Sequence, residues 1–154
     1  MNPMDLQILS LLQSDARITN AEIARQVGMA PSAVLERVRK LEERGVIERY
    51  EARLDPKAFG LGLTAYCLVR TTFSDSTDQA KRLAAIPEIQ EVHEVAGEDC
   101  FLIKLRARDT DALSVLLREK IACIPGVTST KTTIVLKTEK ETGTLPLPTA
   151  GKSE

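Results

Sequence analysis

Ser32, Ala33, Glu36, Arg37 and Lys40 fall at the three- and four-residue intervals that place side chains on and beside one outward strip of a helix. Their chemistry suits reading a duplex rather than breaking a bond. Ser32 and Ala33 are small enough to let a helix approach closely, Arg37 and Lys40 carry donors for guanine edges or phosphate oxygens, and Glu36 can accept from cytosine. Arg37 is the foremost candidate for a base contact. Thr19 and Asn20 open an earlier helix whose free N–H groups can hold a phosphate, and Arg49 and Arg53 follow where a wing would reach the DNA backbone.

The residue types that catalysis needs are thinly supplied. His93 is the single histidine, and no nucleophile elbow, phosphate loop or paired-metal spacing accompanies it. We read His93 as an ordinary strand residue and the chain as a non-enzyme that needs no metal and no cofactor. Cys67, Cys100 and Cys123 are odd in number and share no ligand spacing, which points to reduced, mostly buried thiols.

Several elements must position the outward strip. Thr19-Asn20-Ala21-Glu22 has the form of a capping box, in which hydroxyl and carboxylate reciprocally satisfy N–H groups at a helix start. Ala21, Ile23, Ala24 and Val27 make an apolar stripe that stops at Gly28, the residue best able to take a left-handed cap. Pro31 suits a first helical position, and Val34, Val38 and Leu41 continue at helical spacing to Arg44-Gly45. A preceding helix spans Met4 to Leu12, and Val46 to Leu54 reads as a short hairpin of two strands. Three helices and a hairpin make a winged helix-turn-helix, whose last helix would enter the major groove.

The second half repeats a pattern. A helix from about Thr77 ends in Ile86-Pro87-Glu88-Ile89, and another from about Asp109 ends in Ile124-Pro125-Gly126-Val127, each followed by an extended stretch. Strand formers precede both helices, at Leu63 to Phe73 and at Cys100 to Ala107, and further strands fit Val92 to Ala96 and Thr128 to Lys137. The order is that of a ferredoxin-like βαββαβ domain. Its two helices cover one sheet face, and the other, bearing Leu68 and Leu102, needs a second copy to exclude water. The fold class is therefore α+β, with a winged helix-turn-helix over residues 1–54, a linker over 55–62, the ferredoxin-like domain over 63–138 and a flexible tail over 139–154. The tail is rich in Thr, Pro, Gly and charges, with Leu145 and Leu147 its only sizeable apolar groups.

Val27-Gly28-Met29-Ala30-Pro31-Ser32-Ala33-Val34, together with Arg37 through Ile47, resembles the leucine-responsive regulatory protein / AsnC (Lrp/AsnC) family of prokaryotic transcription regulators. Tyr50, Leu54-Asp55-Pro56-Lys57 and Phe59-Gly60 are similar to that family's wing and linker, and the likeness extends to about Lys137. One departure is Ala30, where the family usually has Ser; a missing side-chain cap costs about 1 kcal/mol. The resemblance implies a regulator that binds double-stranded DNA through a homodimer able to build larger rings such as octamers. It also implies a ferredoxin-like domain of the type called RAM, which binds a small effector, commonly an amino acid, near the turn between its second and third strands. Here that turn is Val95-Ala96-Gly97-Glu98-Asp99-Cys100. Many relatives have an aromatic and then an Asp where this chain has Asp99 and Cys100. Backbone N–H groups at the glycine turn can hold a carboxylate, and Glu98 or Asp99 can meet an ammonium. Two alternatives share the fold: an architectural DNA-binding protein without effector, and a siroheme-decarboxylase-like enzyme that would use His93.

Net charge of -1 gives no broad attraction to phosphate. Between Met1 and Leu54 eight acids match eight bases, so DNA affinity must come from local charge and from two or more heads acting through effective concentration. No apolar run approaches a membrane span, and Met1-Asn2-Pro3-Met4-Asp5 lacks the features of a signal peptide, so a cytoplasmic location is expected.

Overall fold

The computed structural model describes residues 1–72, 76–97 and 100–148. The chain divides into two compact units, one formed by Met1–Arg53 with the end of the chain from Lys140, the other by Leu54–Glu139. Among the described residues no helix is long and apolar enough to cross a membrane.

The first unit is built on three helices: α1 (Pro3–Ser14), α2 (Asn20–Val27) and α3 (Pro31–Glu43). Each starts where the chain supplies a stop to fraying or a preset φ. The Asn2 carboxamide oxygen accepts from the Met4 N–H at 2.8 Å, and Pro3 and Pro31 occupy first turns where no N–H is needed. Gly28 closes α2 at φ 70°, the left-handed geometry expected of it. Ile8, Ile23, Ala24, Val34 and Val38 form the core, with Leu11, Leu12, Ile18, Val27, Met29 and Ile47 packed around it. Ala30 makes no side-chain cap, so the start of α3 depends on Pro31 and on this core.

Two sequence expectations fail here. The Thr19 hydroxyl does accept from the Glu22 N–H at 3.2 Å, but the Glu22 carboxylate turns to Arg25 at 2.6 Å and Gln26 at 2.7 Å instead of returning to the helix start. A charge-assisted fork outcompetes a single backbone N–H, and with Arg25 as the main cause the Glu22 carboxyl titrates at about 2. The hairpin read over Val46 to Leu54 forms no strands. A two-stranded ribbon without a third partner is marginal in water, and this segment is tied to α3 instead at two points: Ile47 N–H bonds the Leu41 carbonyl at 3.2 Å and the Tyr50 hydroxyl donates to Glu42 at 2.9 Å.

The terminal segment up to Pro148 forms no helix or strand, yet two points tie it to the first unit. Gln13 donates to the Leu145 carbonyl at 3.2 Å and accepts from the Leu145 N–H at 2.7 Å, while Arg53 pairs with the Glu141 carboxylate at 3.2 Å.

The second unit opens with a 3-10 turn, Pro56–Phe59, inside the stretch read as linker. Strands β1 (Leu63–Thr71), β2 (Ile89–Glu94), β3 (Phe101–Ala107) and β4 (Val127–Ile134) form one antiparallel sheet in the order β2-β3-β1-β4. Helix α4 (Ser76–Ala84) joins β1 to β2, and α5 (Thr110–Val115) runs on as a π-helical segment, Leu116–Ile121, before β4. This is the βαββαβ arrangement expected. Alternation sets the core: Ala65, Cys67 and Val69 of β1 and Phe101, Ile103, Leu105 and Ala107 of β3 are buried with Leu83, Leu113, Leu116 and Ile121 of the helices, while Lys104 of β3 is buried on the other face. The wider π turn, closed by the Ala122 N–H on the Leu117 carbonyl at 2.8 Å, brings Leu116 and Ile121 to the same inner side although they are five residues apart.

Gly126 shows how tightly the last connection is drawn. At φ 88° a Cβ on this residue would lie 2.0 Å from the Gln79 side-chain nitrogen, which donates to the Pro125 carbonyl at 3.1 Å. Gly126→Ala therefore has to strain the backbone and displace that bond together. We expect a loss of roughly 1–3 kcal/mol in chemical denaturation; an unchanged midpoint would refute this account.

Candidate nucleic-acid interface and ligand groove

The strip read from the sequence is carried by α3, because Val34, Val38 and Leu41 are buried and fix the rotation of the helix about its axis. Ser32, Glu36 and Lys40 are exposed and Ala33 is half-buried. Glu36 and Lys40 pair at 3.3 Å, an i,i+4 contact worth only a few tenths of a kcal/mol at this exposure and easily exchanged for a DNA partner.

Arg37 is placed differently. Its guanidinium reaches back to α1 and bonds the Asp5 carboxylate at 2.8 Å, with the two side chains 34% and 12% exposed. The wheel puts Arg37 on a flank, and on that flank α1 supplies a carboxylate. Arg37 therefore ties two helices together in this structure. Arg39, left out of the sequence reading, is fully on the outer side and pairs with Glu43 at 2.9 Å. Leu35, also passed over because it is apolar, is exposed too. Their spacing from Ser32, three and seven residues, was the available signal.

Thr19 and Asn20 stand at the start of α2, with the Thr19 hydroxyl occupied as the cap. Arg49 is exposed and pairs with Glu51 at 3.0 Å in the strandless segment after α3. Tyr50, in the same segment, is anchored to Glu42 on α3, and partial burial plus that bond push its phenol up to about 12 from an ordinary 10. A group whose folded pKa lies above its unfolded value stabilises fully below the unfolded value. Tyr50 should thus contribute less and less between about pH 10 and 12, with stability falling as pH rises. Replacing Tyr50 with Phe should remove this part of the alkaline loss of stability, read by denaturation at several pH values.

In the second unit the effector turn is only partly described. Glu98 and Asp99 lie outside the described residues. Of the rest, the Val95 N–H is taken by the Cys100 carbonyl at 3.0 Å and the Cys100 N–H by the Val69 carbonyl at 3.1 Å, which leaves Ala96 and Gly97, the latter at φ 134°, to offer backbone donors. The three thiols are unequal: Cys67 is buried, with its pKa raised by that burial, Cys100 is half-buried and Cys123 is exposed, contrary to the expectation of mostly buried cysteines. Cys123 follows the π segment, where the chain has turned outward. His93 is exposed on β2, 3.3 Å from Glu91.

A groove of about 380 Å³ lies between α5 with its π continuation and the edge strand β4. Leu113, Leu117 and Ile134 give it apolar walls, Thr110, Ser114 and Thr130 supply hydroxyls, and Arg118 supplies a cation. Such a lining fits a small molecule with an aliphatic part and a carboxylate. Sequence reasoning missed it, since no local motif links these residues of α5, its π continuation and β4.

The family model described as the Lrp/AsnC ligand binding domain matches residues 64–145, and the model described as winged helix-turn-helix DNA-binding matches residues 1–48. The chain is 40% identical over 147 residues to the HTH-type transcriptional regulator FL11 of Pyrococcus horikoshii, covering 96% of this chain and 97% of the relative. It is 35% identical over 153 residues to the leucine-responsive regulatory protein of Salmonella typhimurium, covering 97% and 93%. Among solved structures, the transcriptional regulator NMB0573 of Neisseria meningitidis in complex with L-Met superposes with a TM-score of 0.89 at 29% identity, covering 95% of this chain and 96% of that one. AsnC of Escherichia coli gives a TM-score of 0.86 at 29% identity, covering 92% and 95%.

Proposed function

Because this chain belongs to the Lrp/AsnC family of transcription regulators, we propose that it reads a near-palindromic operator with α3 and adjusts that binding to an amino acid held by its second unit. That the protein is a DNA-binding regulator follows from the family. The assignment of parts rests on one observation: α3 buries Val34, Val38 and Leu41 and turns Ser32, Glu36, Arg39 and Lys40 outward. Ser32, Ala33, Glu36 and Lys40 are assigned to the groove, with Arg39 added. Thr19, Asn20 and Arg49 are assigned to phosphates. Arg37 is assigned to holding α3 on α1.

For the effector we propose an amino acid, in line with the L-Met bound to the Neisseria regulator. Val95, Ala96, Gly97, Glu98, Asp99 and Cys100 form one candidate contact region, and the groove beneath Thr110 and Ile134 forms another. Thr110, Ser114 and Arg118 would meet the polar end of the ligand, and Leu113, Leu117 and Ile134 its side chain. The open sheet face bearing Leu68 and Leu102 would pair two copies, which could assemble further toward an octamer. The relatives named above are regulators, and His93 stands exposed beside Glu91, so we assign it no catalytic role. The site of action would be the cytoplasm, with the DNA.

Selection from fragmented genomic DNA at near-physiological salt, with and without pooled amino acids, tests this. The expected result is a set of related sites with approximate two-fold symmetry, whose occupancy changes with at least one amino acid and falls steeply with added salt. Recovery of no enriched sequence would overturn the operator reading, and indifference to every amino acid would overturn the effector reading.

A further inference from the structure

Leu35 is a large apolar residue on the outward side of the helix assigned to the groove, and the polar chemistry of that helix gives it no task. It is 55% exposed and takes no part in the buried core of Ile8, Ile23, Ala24, Val34 and Val38. The charged residues that follow it pair along the helix, Glu36 with Lys40 at 3.3 Å and Arg39 with Glu43 at 2.9 Å, exposed contacts that a DNA partner can exchange. Ahead of them the strip carries the Ser32 hydroxyl and the Leu35 isobutyl group. On one side Leu35 borders a crevice of about 270 Å³ lined by Leu12, Ile18 and Val38 as well as by Asn20 and Tyr50, so the leucine stands between the edge of the core and the start of α2, the second element assigned to the duplex.

A solitary exposed leucine on a protein surface ordinarily calls for no explanation. Position decides here. The major groove offers an aliphatic side chain one matched target, the C5-methyl of thymine, the one alkyl group among the donors and acceptors displayed there. We propose that Leu35 is a specificity-determining residue that packs on a thymine methyl in each half-site, with small Ser32 one turn earlier allowing the approach. This rests on the DNA-reading function proposed above. It goes beyond it by naming an apolar contact and the base that the contact selects.

The test uses the full-length protein and the operator obtained by selection. Each thymine of one half-site is replaced in turn by uracil, which removes the methyl and leaves the Watson–Crick edge intact, and affinity is measured for the natural protein, Leu35→Ala and Leu35→Met. The natural protein should lose about fourfold at one position, the order of one buried methyl group, and be indifferent at the others. Leu35→Ala should bind the thymine operator about as weakly as the natural protein binds the uracil operator, with no further loss on combining the two changes, while Leu35→Met should keep most of the methyl dependence. Because Leu35 lies outside the core, thermal unfolding of both variants should match that of the natural chain.

Indifference of the natural protein to uracil at every position would overturn the proposal while leaving the operator reading intact. So would an equal loss for Leu35→Ala on thymine and uracil operators. A fall in sedimentation coefficient for Leu35→Ala, with no methyl dependence, would assign the residue to a contact between copies instead. Failure to select any operator would remove the DNA-reading function and this inference together.

Discussion

With aspartate at both Leu68 and Leu102, the second unit is expected to fold as before, sediment as a single copy and leave the protein about 10²- to 10⁴-fold weaker on a two-half-site operator. Leu68 and Leu102 face each other across β1 and β3 as direct partners in the register, on the sheet face that no helix of this unit covers. Both are half-buried, and Tyr66 beside them is 39% exposed. On the opposite face of the same two strands every side chain from Ala65 to Val69 and from Phe101 to Ala107 is buried. The open face thus has an apolar patch centred on Leu68 and Leu102, bordered by the buried Lys104 of β3, which pairs with Glu91 of β2 at 3.3 Å, and by His93. Two carboxylates at that centre would have to be desolvated for a copy to pack there, at a cost of several kcal/mol each, whereas in a single copy they remain in water. Their effect should reach DNA because a neutral head has little affinity of its own. Sedimentation, far-UV circular dichroism and operator titration read the three consequences separately. A folded double variant that still sediments as the natural protein does would refute the assignment of this face, and a monomer with undiminished operator affinity would refute the dependence on paired heads.

The sequence was most legible where a residue acts on its own backbone. Gly28 in the left-handed region, Pro31 at a helix start and the two Pro-ended helices of the second half are local signals, and the structure has each where the pattern put it. The inner face of β3 followed as well, with Phe101, Ile103, Leu105 and Ala107 buried as the alternation placed them. Legibility ended where a side chain chooses among partners distant in the chain. Glu22 has the spacing of a capping box and prefers Arg25. Val46 to Leu54 has strand-forming residues and no third strand to lean on. The groove under Thr110 and Ile134 joins side chains of α5, its π continuation and β4, elements that only the tertiary fold brings together. On α3, spacing separated the inner from the outer face, yet it could not show that Arg37 reaches back to Asp5 while Arg39 pairs along its own helix.

That last distinction has the second large expected effect, because it turns on an ion pair 32 residues apart in the chain. Asp5 is the buried acid of α1, and among the described residues its hydrogen-bond and ion-pair partner is the Arg37 guanidinium at 2.8 Å. Asp5→Ala leaves a half-buried cation without its partner, and Arg37→Ala leaves a buried carboxylate without one. Each is expected to cost about 2 kcal/mol of head stability, the range for a hydrogen bond to a charged group. The double variant should be little worse than either single one, giving a coupling of about 1–2 kcal/mol in a double-mutant cycle. On DNA the two arginines should then part company. Arg37→Ala loosens α3 on α1 and should weaken the selected operator and random duplex by the same factor, as should Asp5→Ala, which removes no cation. Arg39→Ala leaves the head intact and should weaken the operator preferentially, by 1–3 kcal/mol if the guanidinium meets a guanine edge. If instead Arg37→Ala spares random duplex and Asp5→Ala spares the operator, the guanidinium leaves α1 on binding and reads a base, and the role assigned here to Arg39 is wrong.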